Sequence, residues 1–118
     1  MKRALAILAV SLTLAGTSLA GVTTFDDVTT GSVVNMPATY DGFAWAGFGV
    51  VNATNYTNNP SGYLNGLVSP HYVAYNHSGN PAQFSAAGAF DFVGAYFTAV
   101  WNDGLLIEVE GFLGGESV

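Results

Sequence analysis

Residues 90–112 read FDFVGAYFTAVWNDGLLIEVEGF, and the pattern of this stretch decides the fold class. Two runs rich in aromatic and β-branched residues, 90–101 and 105–112, flank Asn102-Asp103-Gly104. A short loop carrying Asp-Gly between such runs signals a β-hairpin, because glycine accepts the positive φ that a tight turn requires. In the second run Ile107 and Val109 alternate with Glu108 and Glu110, as in a strand with one face in a core and the other in water. A hydrolase carboxylate pair is the competing reading of Glu108 and Glu110, and the solvent-facing strand explains them more simply.

Toward the N-terminus the same grammar recurs in shorter pieces. Residues 71–76 and 83–86 are strand candidates on either side of the turn Ser78-Gly79-Asn80-Pro81. Residues 52–66 carry Asn52, Asn55, Asn58, Asn59, Pro60, Ser61 and Gly62, turn formers that mark a loop. Residues 43–51 are aromatic and apolar with interspersed glycines, which predicts a buried strand that bends or bulges at Gly47 or Gly49. Residues 32–36 form a short strand candidate stopped by Pro37, and residues 22–25 a first strand. The apolar spacing of a helix is missing throughout, so the expectation is an all-β domain, a sandwich or barrel.

At the other end, Gly114-Gly115-Glu116-Ser117-Val118 reads as a turn followed by the start of another strand. Six strand candidates and the short possible one at 32–36 are in hand, at or below the about seven to nine of a usual sandwich. The expectation is therefore a β-sandwich over residues 21–118 that lacks its last strands.

Residues 1–20 read as a secretory signal peptide. Lys2 and Arg3 give a positive start, residues 4–15 are almost purely apolar, and small residues lead to Ser18-Leu19-Ala20. This order of charge, apolar core and small-residue cleavage site is the export pattern. The apolar run is shorter than the about 20 residues of a spanning helix, so a cleaved segment is expected, and a secreted or cell-surface address.

Lys2 and Arg3 are the only Lys and Arg in the chain, so residues 21–118 contain neither. They keep all eight acidic residues, Asp26, Asp27, Asp41, Asp91, Asp103, Glu108, Glu110 and Glu116. Neutralising nucleic-acid phosphates or anionic lipid requires Lys and Arg, which sets aside nucleic acid and an anionic membrane surface as partners. The chain has no cysteine, which excludes disulfides and thiolate chemistry.

Four stretches, in order, carry a likeness to a known group: Thr24-Phe25-Asp26-Asp27, then Tyr40-Asp41-Gly42-Phe43-Ala44-Trp45, then Pro60-Ser61-Gly62-Tyr63, and finally Tyr96-Phe97-Thr98-Ala99-Val100-Trp101-Asn102-Asp103-Gly104. Together they resemble bacterial secreted proteins with a PEP-CTERM sorting signal, over residues 21–115. The resemblance implies a jelly-roll β-sandwich related in shape to carbohydrate-binding modules, sorted to the surface of bacteria that make exopolysaccharide. The C-terminal Pro-Glu-Pro segment, hydrophobic helix and basic tail of that group are absent from this sequence, so a truncated chain is expected.

The resemblance also implies a structural calcium, with Asp26 and Asp27 as carboxylate ligands at the end of the first strand, since hard oxygen donors suit that ion. The competing reading is a strand end with solvated carboxylates. Tyr56, Tyr63 and Tyr72 sit in or beside polar loops and are the candidate ligand-binding residues, because an exposed aromatic face complements the C–H face of a sugar ring. Trp45 and Trp101 fall within strand candidates and are expected in the core. His71 and His77 are too few for zinc, which takes three or four convergent ligands. Gly-x-Ser-x-Gly is absent, and no nucleophile arrangement stands out. The matches to the glycosylation pattern at Asn52, Asn55 and Asn76 are explained by loop composition.

The functional expectation is an exported, non-catalytic protein that binds carbohydrate or belongs to an extracellular polysaccharide matrix. Its alternatives are a structural or adhesive surface protein without a small ligand, and a glycoside-acting enzyme.

Overall fold

The computed structural model describes residues 21–118; the segment 1–20, read above as a signal peptide, lies outside them. The described residues are mostly antiparallel β structure with almost no helix. Strands β1 (Val33–Asn35), β2 (Thr39–Tyr40), β3 (Phe43–Ala46) and β4 (Phe48–Asn52) precede a one-turn helix α1 (Gly62–Asn65), followed by β5 (Tyr72–Asn76), β6 (Gln83–Ser85), β7 (Phe112–Leu113) and β8 (Glu116–Ser117). One sheet has the order β1-β4-β5, a second β2-β3-β6, and β7 pairs with β8 alone.

The first two sheets repeat one order because they are built from the same three arms of chain, residues 33–40, 43–52 and 72–85, each bending once. Pro37 lies between β1 and β2, and it has no N–H to give a ladder. Gly47 lies between β3 and β4 at φ +78, and a Cβ there would stand 2.9 Å from the Pro81 carbonyl oxygen and 3.1 Å from Ala82 Cα. A 3₁₀ turn, His77–Gly79, separates β5 from β6, and its His77 N–H donates to the Gly47 carbonyl at 2.9 Å. The apolar run 43–51 is thus two strands in two sheets, bent at the glycine.

Strand alternation sorts the first sheet into two faces. Val34, Val50 and Ala74 stand opposite one another across the ladders. With Met36, Phe48 and Tyr72 they form the core, against which Phe25, Val28, Tyr40 and Trp45 pack. Trp45 is the centre of the aromatic packing, 5.1 Å from Phe84 in a stacked pair and 5.6 Å from Phe25 edge to face. Its indole N–H donates to the Tyr40 carbonyl at 2.9 Å. The other face carries Gly49, Val51 and Tyr75, and the Tyr75 ring fills the space a Cβ on Gly49 would need.

Two expected elements do not form. Residues 22–25 are not a strand: Phe25 takes φ +68, a left-handed conformation that ends extended pairing. Side-chain bonds hold this segment instead. Asp26 Oδ1 accepts from the backbone amides of His71 and Tyr72 at 2.8 and 3.0 Å, and Ser69 Oγ donates to the Thr24 carbonyl.

The hairpin expected over 90–112 keeps its turn but not its ladder. Gly104 has φ +76 and the Leu105 N–H reaches the Asn102 carbonyl at 3.4 Å, yet among the described residues no strand pairing involves 90–111. Phe90, Phe92, Val93, Leu105, Leu106 and Val109 are all exposed. Two strands by themselves are at best marginal in water, and neither of the three-stranded sheets extends to these arms. The tight hairpin lies farther on, at β7 and β8 around Gly114 and Gly115, both with positive φ.

Candidate functional site

The candidate site lies on the face of the first sheet opposite the core. Tyr75 begins it, half-buried on β5. The Tyr63 ring, on α1, packs 5.6 Å from Tyr75; Tyr56 meets Tyr63 edge to face at 5.0 Å; and Trp101 lies 6.1 Å from Tyr56 and 5.9 Å from Tyr63. Tyr56 and Tyr63 are half-buried, whereas Trp101 is 58% exposed. Two tyrosines therefore brace an indole that remains open to solvent.

The asparagine-rich loop places these rings. Buried Asn52 caps the end of β4: its Oδ1 accepts from the Thr54 N–H, the Thr54 hydroxyl and the Asn55 N–H at 3.1, 2.7 and 3.1 Å. Asn59 Nδ2 donates to the Tyr56 carbonyl at 2.8 Å, and the hydroxyl of buried Ser61 donates to Asn59 Oδ1 at 2.8 Å. Residues 98–101 then lie directly over α1. The Gly62 N–H donates to the Val100 carbonyl at 2.9 Å, and a Cβ on Gly62 would fall 1.9 Å from the Ala99 carbonyl oxygen. Only glycine allows that approach.

Between α1 and this crossing segment runs a groove of about 290 Å³, lined by Ser61, Asn65, Thr98, Trp101 and Asp103 among others. It combines one open aromatic face with amide, hydroxyl and carboxylate groups. Burial raises the Tyr63 and Tyr75 hydroxyl pKa values, as would negative charge on neighbouring tyrosines, so these rings stay neutral. The arrangement can stack a flat, partly apolar ligand and hydrogen-bond its hydroxyls; it brings no nucleophile and base together.

Of the three tyrosines read as ligand-binding, the structure brings Tyr56 and Tyr63 together and removes Tyr72. Tyr72 is 6% exposed, belongs to the core, and donates its hydroxyl to the Gly31 carbonyl at 3.0 Å. Trp101 is the residue that sequence reasoning misplaced: expected in the core, it is the open platform, while Trp45 does pack inside. Its position immediately before the Asn-Asp-Gly turn was the available signal. Asn65 and Asp103 were not singled out for this role, since nothing local in the sequence links them.

A larger hollow of about 540 Å³ is lined by Val22, Thr24, Asp26, Asp27, Tyr40 and Asp41, and this is where a calcium was expected at Asp26 and Asp27. The carboxylates there are engaged in holding the chain. Asp27 Oδ1 accepts from the Tyr40 hydroxyl and Asp41 Oδ2 from the Thr23 hydroxyl. Asp26 spends Oδ1 on two amides, leaving Oδ2 buried without a partner. Burial alone would push the Asp26 carboxyl up, but hydrogen bonding from the His71 and Tyr72 amides, with the Ser69 and Thr24 hydroxyls, together outweighs it and holds its pKa below the usual value. Burial, the bond to Asp27 and the charges of Asp27 and Asp41 push the Tyr40 hydroxyl up to about 12. Among the described residues no group of three or more His, Cys, Asp or Glu side chains is placed to hold a metal. His71 and His77 flank opposite ends of β5.

No family model, curated protein or solved structure matches the chain.

Proposed function

We propose that this chain is an exported, non-catalytic binding module that takes carbohydrate in the groove beside Trp101, at the cell surface or in an extracellular polysaccharide matrix. The observation that carries the reading is the 58% exposed Trp101 indole braced by Tyr56 and Tyr63. A large aromatic ring left open over a polar groove suits a sugar, which offers an apolar C–H face and a rim of hydroxyls. The export pattern of residues 1–20 and the resemblance to PEP-CTERM proteins support the address and the ligand class. The bent antiparallel arms support a jelly-roll as the finer architecture.

A glycan array probed with the protein purified after export, with and without a chelator, tests this. Binding to a set of polysaccharides, unchanged by chelation, is the expected result; absence of binding to every glycan at high protein concentration overturns it.

The structural or adhesive alternative is favoured by one observation, the exposed apolar residues between Phe90 and Leu113, since patches of this kind mark association surfaces. Concentration-dependent association in sedimentation, together with a blank array, would favour it.

A further inference from the structure

We propose that the groove beside Trp101 selects uncharged glycans and rejects those bearing uronate or sulfate groups, an inference that rests on the carbohydrate reading above. Residues 21–118 contain eight acidic side chains and no Lys or Arg. One of the acids, the exposed Asp103, lines the groove itself, next to Trp101.

Recognition of a carboxylate or sulfate in a site depends on guanidinium or ammonium groups, which compensate the charge and donate hydrogen bonds to it. Here the groove offers an amide at Asn65, a hydroxyl at Thr98 and the Asp103 carboxylate. Asp103 accepts hydrogen bonds from sugar hydroxyls and repels an anionic substituent brought alongside. The remaining acids add to this field, and residues 21–118 hold no Lys or Arg to offset it. The groove's about 290 Å³ lies just below the usual range for ligand sites, about 300 to 1,000 Å³. It holds a short segment of glycan.

The test pairs each neutral polysaccharide, a β-glucan, a galactan and a mannan, with the same polymer oxidised at its primary alcohol to the uronate. Sugar stereochemistry at the other carbons is then constant; the oxidation exchanges a hydroxyl for a carboxylate, and the salt series separates the charge from the lost hydroxyl. Retention of the exported protein is measured in affinity gels at about 10 mM salt, where the Debye length is about 30 Å, and at about 1 M, where it is about 3 Å. The expected result is binding to at least one neutral polymer, weakened about tenfold or more by oxidation at low salt, with the ratio closing at high salt. Asp103→Asn narrows the low-salt ratio.

Equal or tighter binding to the oxidised partners overturns the selectivity and leaves the carbohydrate reading standing. Retention by none of the polymers overturns both.

Discussion

The Trp101 ring lies 5.9 Å from that of Tyr63 at an interplanar angle of 81°, although the two residues come from separate parts of the chain. Gly62 makes the relationship possible, because its missing side chain lets residues 98–101 rest on α1. Trp101→Ala removes the open platform and leaves the sheets untouched. Glycan retention should fall at least about tenfold, equivalent to 1.4 kcal/mol, while stability measured by urea unfolding drops by no more than about 1.5 kcal/mol, the scale of one aromatic contact. Unaltered retention by a folded variant would remove Trp101 from the site.

Gly47 is the bend of the central arm, at φ +78 against the Pro81 carbonyl. Gly47→Ala combines a left-handed backbone with a clash against main chain, and should cost about 2 kcal/mol or more. Gly88→Ala is the control, since a Cβ there meets nothing within 4 Å. Equal unfolding midpoints for the two variants would contradict the bent-arm geometry.

Residues 90–111 have no strand ladder, whereas β4 is paired on both sides, by β1 and β5. Amide hydrogen exchange should therefore be fast along most of 90–111 and slowest at Val50 and Val51, with protection following the local opening free energy. Protection across 90–101 and 105–112 as strong as in β4 would mean that the hairpin expected from the sequence is formed.

Asp26 fastens the N-terminal segment to the start of β5. Its folded pKa is below the ordinary 3.8, so its contribution to stability is complete above the unfolded value and is lost as pH falls through the lower folded one. Unfolding midpoints should decline below about pH 4, and Asp26→Asn should flatten that part of the decline. An unchanged acid limb in the variant would show that the carboxylate is not fastened in this way.

Tyr40 works in the opposite sense. Its hydroxyl is pushed up to about 12 by burial and by Asp27 and Asp41. The associated stability is whole below the unfolded value of about 10 and disappears as pH rises through the folded one. Ultraviolet titration should resolve a tyrosine ionising near 12, and Asp27→Asn should move it down; no tyrosine titrating later than the others would contradict the contact.

Local signals located most of the paired strands. Pro37, Gly47 and the Ser78–Pro81 turn punctuate the three arms, and β1, β5 and β6 fall within a residue or two of where β-branched and aromatic runs suggest. What stayed hidden was set by distant partners. Phe25 takes its positive φ beside Asp26, whose partners His71 and Tyr72 are distant in sequence and are announced by nothing near Phe25. A period-two pattern at 105–110 states a strand's preference without supplying a neighbour to pair with. Tyr72 and Trp101 exchanged their expected places for different reasons: the β4–β5 register turns Tyr72 to the core, whereas Trp101 lies in a run that gains no ladder to bury it. In the candidate site, Tyr56 and Tyr63 were legible as loop aromatics. The groove itself was not, since residues 61–65 meet 98–103 only after folding.

Iodide quenching of tryptophan fluorescence tests the central claim most directly, because Trp101 is 58% exposed while Trp45 packs among Phe25, Phe48 and Phe84. Titration with the neutral glycans should protect the quenchable, exposed indole in a saturable manner, and Trp101→Phe should abolish that component. Quenching that is unchanged at every glycan concentration would contradict a sugar stacked on Trp101.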